Sequence, residues 1–440
     1  MPLIVLGGSI LLLLLLIARF KVNAFLALLI ASFAVGLASG MSADAALRSI
    51  LKGVGDTTSS VALILVFGAI LGKLIEESGA SHTISYAFTR LFGMPRLWLS
   101  VLLTAFIVGL PMMFNAGFLV LIPLVYALSE TSGVPLLNLG IPMCAALTAT
   151  HAYLPPHPAP TAIALMYGAN VNRTLFYGLV LTVPAMLLAG PLLLRFFRDR
   201  KNLPPSELYR AREFRMEALP GLGTSLFATM LPVLLMLAGA VAELAVRPGS
   251  AILPATRFLS DANVALFLAA LAAIYTLGLR MGRTMQAVMK NASEAVASVS
   301  MILLIIVCGG AFKQVLVDCG MGAAIERLAA GVHGSPILLA WGTAALLRLA
   351  LGSATVAGIT AAGILVPLVP HAGVAPELLV IATASGSMMF SHFNDIGFWM
   401  FKEYFNASIR QTFAIWTVLE SIVGLVGLAG VLILQFVVGR

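Results

Sequence analysis

Apolar runs long enough to cross the roughly 30 Å of a bilayer's hydrocarbon recur along almost the whole chain, which leaves little choice of fold. In lipid no water completes the backbone hydrogen bonds, so each run must satisfy its own as a helix. The expected spans are Pro2–Ala18, Val22–Gly40, Val61–Ile75, Leu137–Tyr153 and Thr174–Phe197, then Leu222–Val246, Ala262–Leu279, Ala295–Val317, Leu378–Phe393 and Thr412–Val438. Between them an amphipathic stretch covers Glu76–Arg96, and Arg198–Gly221 is the one long polar segment. The composition agrees: 60% of residues are hydrophobic and 10% charged, against about 25% charged in a soluble domain. Pro2–Ala18 lacks a basic segment before it, and Arg19 and Lys21 follow it. A first transmembrane helix is therefore expected there rather than a signal peptide.

A second pattern divides the chain in two. With a shift of 241 residues and no gap, Gly68 meets Gly309, Gly79 meets Gly320, Gly93 meets Gly334 and Gly117 meets Gly358. Pro95 meets Pro336, Pro135 meets Pro376 and His151 meets His392. Glycine and proline mark where a backbone bends or is closely approached, so a shared pattern of them predicts a shared backbone plan. Three units follow: a transmembrane repeat over 1–197, a cytoplasmic linker over 198–221 and a second repeat over 222–440.

Two long runs, Leu97–Ser129 and Pro336–Pro370, have no polar loop at their middles, only GLPMMFNAG and ALGSATVAG. Each reads either as two spans with a tight turn or as a re-entrant hairpin. The small and polar residues at the tips (Asn115 to Gly117, Gly352 to Thr355) favour the hairpin, because irregular backbone at membrane depth survives only where protein or a water-filled cavity surrounds it. Each half crosses five times with hairpins or seven without. An odd number turns the second half over relative to the first, giving inverted repeats. With the amino terminus outside, 17 basic residues fall inside and seven outside, as the positive-inside rule requires. The net charge of +8 is accounted for in this way and is no nucleic-acid signal. The three cysteines, Cys144, Cys308 and Cys319, lie in or beside apolar segments with no metal or disulfide spacing. No Walker A sequence, nucleophile elbow or HExxH helix is present, so ATP-driven pumping and the commonest hydrolytic chemistries have no support.

Each half carries a polar break late in its apolar sequence. LPPHPAPT (Leu154–Thr161) places Pro155, Pro156 and Pro158 around His157, with Pro160 two residues further on. A helix cannot run through it, and the freed backbone with His157 and Thr161 reads as a substrate or proton site, or else as a kink or external loop. SHFNDIGFW (Ser391–Trp399) brings Ser391, His392, Asn394 and Asp395 together after Ser385–Ser387. Ionisable groups at membrane depth are costly and point to function. Asp395 reads as a proton carrier, an ion-pair partner or the N-cap of the next helix. Arg348, within the second hairpin, needs an acidic or carbonyl partner, and reads either as a structural lock or as a ligand for an anion. Glu243 and Glu420, within apolar runs, are additional candidates for a proton site. His151, His157 and His392 match no common metal spacing, and no metal or other cofactor is expected.

The segments LPPHPAPTAIA (Leu154–Ala164), AFKQVLVDCG (Ala311–Gly320), LRLALGSATVAGITAAG (Leu347–Gly363) and FSHFNDIGFWMFKEYFN (Phe390–Asn406), with LLLLLIARFKVNAFLALL (Leu12–Leu29), resemble the gluconate:proton symporter family over essentially the whole chain. The resemblance implies an all-α polytopic protein of the bacterial inner membrane, built of two inverted repeats. Each repeat would have about five crossings, a re-entrant helical hairpin and a broken helix. It implies proton-coupled symport of gluconate or a related hydroxy-acid anion. Relatives that carry other sugar acids, glycerate-like acids or serine keep a different small carboxylate open as the substrate. Some relatives form dimers, so a homodimer is one assembly it allows. Two positions depart from the family pattern. Asn115 in FNAGF stands where members often have an acidic residue, and Ala159 in LPPHPAP replaces the commoner glycine.

From these readings one site is expected where the hairpin tips and helix breaks meet. Ser353, Thr355 and backbone amides at helix amino ends would hold the carboxylate. Asn115, Gly117, Thr161, Ser387 and Asn394 would approach the rest of the substrate, and His157, His392 or Asp395 would exchange the proton. A membrane enzyme using His157 and Asp395, and a passive anion channel, are the rivals from other classes. The paired breaks in a repeat disfavour the first, and accumulation against a gradient would exclude the second.

Overall fold

The computed structural model describes residues 2–197, 219–246, 250–320, 335–392 and 395–438. Residues 198–218 of the expected linker, Gly334 and Asn394 lie outside the described residues.

The described chain is helical, with no strand among the described residues. The first half comprises α1 (Pro2–Leu14), α2 (Ala24–Ala38), α3 (Ala43–Ser78), α4 (Ala80–Phe92), α5 (Leu97–Gly109), α6 (Phe114–Ser132), α7 (Leu136–Tyr153), α8 (Pro158–Tyr167) and α9 (Val171–Leu187). The second comprises α10 (Leu222–Ala245), α11 (Ile252–Ser260), α12 (Ala262–Ala273), α13 (Met285–Asp318), α14 (Pro336–Leu351), α15 (Ala354–Leu365), α16 (Pro376–Gly386), α17 (Ile396–Tyr404), α18 (Ile409–Thr412) and α19 (Val418–Val438). Among the described residues eight helices are long and apolar enough to cross a membrane, or nine if the bent pair α4–α5 counts as one span.

The element order of the first half returns in the second. Shifted by 241 residues, the starts of α3, α5, α6, α7, α8 and α9 fall within three residues of those of α13, α14, α15, α16, α17 and α18. Even a turn is shared: Gly79 and Gly320 have φ of 76° and 74°, the left-handed backbone that closes a helix and that glycine adopts without strain.

α3 and α13 exceed the spans expected from hydropathy. At 36 and 34 residues they reach about 54 and 51 Å. Hydropathy marks only their apolar portions. Their polar first turns are set by the caps Ser42 and Thr284, whose hydroxyls accept from Ala45 and Ala287 backbone N–H groups at 3.2 Å each. The two rods pack along each other. At Gly53 an added Cβ would lie 2.5 Å from the Gly310 carbonyl oxygen, so this crossing admits no larger residue.

The paired runs are helix–turn–helix units. α5 has 13 residues, about 20 Å, and meets α4 at a 117° bend; by itself it is too short to cross a bilayer. α14 and α15, at 16 and 12 residues, rise about 24 and 18 Å. The first break lies within buried helices, while the second follows the buried α16 and leads into the partly exposed α17. α7 ends at Tyr153 and α8 begins at Pro158, with Leu154 to Thr161 buried throughout, so this segment is not an external loop. The second break opens earlier than its polar residues suggest: α16 ends at Gly386 and α17 starts at Ile396. Phe390, at φ 55°, turns the chain between them.

Candidate substrate site

The turns of both helical hairpins face one cavity of about 280 Å³. Its wall combines Asn115 at the start of α6 with Ser353 and Thr355 at the start of α15. Asp395 and Gly397 at the start of α17 also line it, as do Arg348, His151, Trp416 and Glu420. The first turn of a helix has backbone N–H groups without intrahelical partners and carries partial positive charge. Three such ends, those of α6, α15 and α17, therefore aim donors at this space. Met113, Phe114, Leu351 and Met388 supply apolar wall. The volume lies near the lower end of the roughly 300–1,000 Å³ usual for small-molecule sites.

Arg348 organises the polar side. It sits in the last turn of α14 and is 2% exposed. Its Nη2 donates to Asp395 Oδ2 at 2.6 Å, and its Nη1 donates to the carbonyl of Gly352, which ends the same helix. The guanidinium thus fixes the α14–α15 turn and ties it to the second break. Asp395 is satisfied further. Its Oδ2 accepts from the Ser391 hydroxyl, and its Oδ1 accepts from the Gly397 N–H at 3.1 Å, capping α17. The capping and ion-pair readings of Asp395 describe one geometry. Trp416 Nε1 donates to Ser391 Oγ at 2.8 Å, so an indole from the π-turn Phe413–Thr417 braces the same break.

Glu420 is the second carboxylate, one turn further on in α19. Its Oε1 accepts from Thr148 Oγ1 of α7 at 3.0 Å, while its Oε2 lies 3.8 Å from Arg348 Nη2. Its side chain is 3% exposed.

The residues singled out in the sequence divide into two groups. Asn115, Ser353, Thr355, Asp395 and Arg348 are brought together at the cavity. Gly117, Thr161, Ser387, His157 and His392 are not part of its lining. At Gly117 an added Cβ would meet Leu147 at 2.9 Å, a helix-packing position. Thr161 is fully buried, and its hydroxyl has no hydrogen-bond partner. Ser387 donates back to the Ala384 carbonyl at 2.8 Å. His157 lines a neighbouring cavity of about 240 Å³ with Lys73, Glu76 and Glu294, on the other side of the first hairpin tip. Its Nδ1 lies 3.4 Å from His151 Nδ1, so the pair joins the two cavities. Asn394 lies outside the described residues.

Sequence reasoning passed over Trp416 and treated His151 only as a register partner and an unconvincing metal ligand. A polar or aromatic residue inside an apolar run carries no local sign of which neighbour it will meet. Glu243, by contrast, is committed elsewhere. It lies 3.8 Å from Arg173 and 3.5 Å from Arg257, and accepts from Asn170 Nδ2 at 3.1 Å. The largest of these cavities, about 710 Å³ beside α5 and α9, has Arg195 as the single charged lining residue among the described residues and lacks the convergence of donors found at the hairpin tips.

A bundle of membrane-length helices with interrupted helices around a small polar cavity defines a membrane transport protein. The family model for the GntP family permease matches residues 1–437, and the chain belongs to that family. It is 45% identical over 438 residues to the high-affinity gluconate transporter of Escherichia coli strain K12, covering all of both chains. It is also 45% identical to that organism's Gnt-II system L-idonate transporter, over 99% of this chain and all of the relative. The identity to the gluconate permease of Bacillus subtilis strain 168 is 43%, again over the full length of both. The fold matches two solved transporters at 16% identity. They are the YdaH transporter of Alcanivorax borkumensis, with a TM-score of 0.66 over 94% of this chain and 97% of the other, and MtrF of Neisseria gonorrhoeae, with 0.68 over 97% of each. The chain is thus a multi-pass inner-membrane permease, and not an enzyme.

Proposed function

We propose that this permease is a proton symporter for gluconate or a closely related sugar acid. The single observation that carries the reading is the cavity at the hairpin tips, where three helix amino ends and the Arg348 guanidinium face two carboxylates. Donors and positive charge suit a carboxylate and its neighbouring hydroxyls. Acidic groups beside them suit exchange of a proton. The full-length relatives named for gluconate and L-idonate favour a six-carbon sugar acid over a shorter carboxylate such as glycerate or serine.

In this reading Ser353, Thr355 and the free N–H groups of α15 bind the carboxylate, and Asn115 and the start of α6 bind the hydroxyls. Arg348 holds the wall in shape. The two halves are inverted repeats meeting at this site, and α5–α6 and α14–α15 are re-entrant hairpins. The shortness of α5 and α14 and the recurrence of part of the element plan support that arrangement. Proton coupling has a physical purpose, because an anion moving inward opposes the membrane potential at about 2.3 kcal/mol per 100 mV. One co-transported proton cancels the charge and leaves the pH gradient as the drive.

Uptake of labelled gluconate into proteoliposomes with an imposed pH gradient, inside alkaline, tests the proposal. Accumulation that rises with the gradient and is competed by L-idonate is expected. Uptake indifferent to the gradient would remove the symport reading, and absence of both gluconate entry and competition would remove the substrate.

A further inference from the structure

Two carboxylates face one guanidinium at the site, and their surroundings are unequal. Asp395 accepts three donors: the Arg348 guanidinium at 2.6 Å, the Ser391 hydroxyl and the Gly397 N–H. It is fully engaged in holding the second break and the start of α17. Among the described residues Glu420 accepts one neutral hydroxyl, that of Thr148, and stands 3.8 Å from a guanidinium nitrogen already committed to Asp395. With every group ionised the cluster carries one uncompensated negative charge in a buried place, facing the space where an anion must bind. The group least able to hold that charge is the one with the fewest donors.

From this inequality we propose that Glu420, rather than Asp395 or a histidine, carries the coupling proton, and that its neutralisation licenses the site for the substrate anion. The inference rests on the symport reading above. Protonated Glu420 donates its new O–H toward the cavity or back to Thr148 Oγ1. Arg348 and Asp395 then cancel, and the donors of α6 and α15 are left facing an anion with no opposing charge. When Glu420 releases the proton inside, its negative charge expels the carboxylate. One proton therefore accompanies each anion that binds. The other groups facing Glu420 are Cys144, His151 and Tyr153 from α7, Arg348 from α14 and Asp395 before α17. Of these, Tyr153 donates its hydroxyl to the Val423 carbonyl. α9 and α16 also pack on α19, but their charged residues Arg173 and Glu377 are engaged with Glu243 and Asn170.

The test compares wild type, Glu420→Gln and Glu420→Asp in proteoliposomes. Three readouts serve: gluconate uptake with and without a pH gradient, gluconate counterflow exchange with no gradient, and the pH dependence of gluconate affinity followed by Trp416 fluorescence. For wild type, gradient-stimulated uptake and an affinity that weakens about 10-fold per pH unit above the titration midpoint are expected, the slope of one linked proton. Glu420→Gln, a permanent mimic of the neutral acid, should still exchange gluconate in counterflow, at an altered rate, lose gradient stimulation, and bind with an affinity flat in pH. Glu420→Asp should keep the slope with a displaced midpoint. Gradient-driven accumulation by Glu420→Gln equal to wild type, or a folded Glu420→Gln that no longer exchanges gluconate, overturns the inference and leaves the symport reading intact. If Glu420→Gln does not fold, an unmoved midpoint in Glu420→Asp overturns it. Wild-type uptake that ignores the gradient instead overturns the symport reading itself.

Discussion

Replacing Arg348 with methionine removes the one positive charge among the described residues that line the site and keeps most of its volume. The wild-type guanidinium is almost completely enclosed, with its side chain 1% exposed against 16% for Asp395 and 3% for Glu420. Unit charges about 4 Å apart attract by about 4 kcal/mol at an effective dielectric of about 20. Desolvation offsets much of that in the intact pair, so the pair as a whole adds little to stability. Removing one partner is different, because the desolvation cost of the other remains with nothing to offset it, and such breaks cost about 3–5 kcal/mol. Arg348→Met also frees the Gly352 carbonyl, which the guanidinium bonds at the hairpin turn. A loss of about 3–5 kcal/mol is therefore expected in denaturant unfolding in mixed micelles, together with loss of transport. The double variant Arg348→Met with Asp395→Asn should recover at least half of the lost stability, since no unpaired charge is left at the break. A double-mutant cycle among wild type, both single variants and the double variant isolates this coupling. Strict additivity of the single variants, or a single-variant loss below about 1 kcal/mol, would refute the reasoning.

The remaining predictions follow from packing and from the division of the polar residues. Ser353→Ala removes both a lining hydroxyl and the cap that accepts from Val356 N–H at 3.4 Å; if the hydroxyl binds the carboxylate, the KM for gluconate should rise about 10-fold or more, from the roughly 1.5–3 kcal/mol of a hydrogen bond to a charged group. His157→Asn should retain gradient-driven uptake, since His157 lies in the neighbouring cavity, and a flux assay showing lost coupling would move the proton route to the histidine pair. Gly386→Ala places a Cβ 2.2 Å from the Trp341 carbonyl oxygen. A backbone atom cannot swing aside, so α14 and α16 must separate, and a cost of about 1–3 kcal/mol should appear as a lower melting temperature. Trp416→Phe removes the 2.8 Å bond to Ser391 and should cost about 0.5–1.5 kcal/mol in the same unfolding assay.

Much of the fold can be read from residues because the rules involved are local. An apolar run in lipid must be helical whatever its neighbours do, so most of the expected spans have helices. Pro155, Pro156 and Pro158 forbid a continuous helix, and the chain breaks between Tyr153 and Pro158. Where locality fails, so does the reading. The polar beginnings of α3 and α13 are invisible to hydropathy because helix propensity, caps and mutual packing extend those rods beyond their apolar parts. The second break opens at Gly386, ahead of the polar cluster at Ser391, and the chain turns at Phe390, which no proline or glycine marks in the sequence.

The sequence by itself determined a helical membrane protein with a doubled plan, and placed Asn115, Ser353, Thr355 and Asp395 at hairpin tips and helix breaks. These follow from hydropathy, from proline and glycine stereochemistry and from a register that needs no partner. Only the tertiary structure decided which faces meet. It pairs Arg348 with Asp395 across 47 residues and brings Thr148 to Glu420 across 272, while leaving His157 in the neighbouring cavity and Thr161 outside the lining of both. Inside a bundle that is apolar all round, the rotation of each helix is set by interlocking side chains from many segments at once, and no single segment records it.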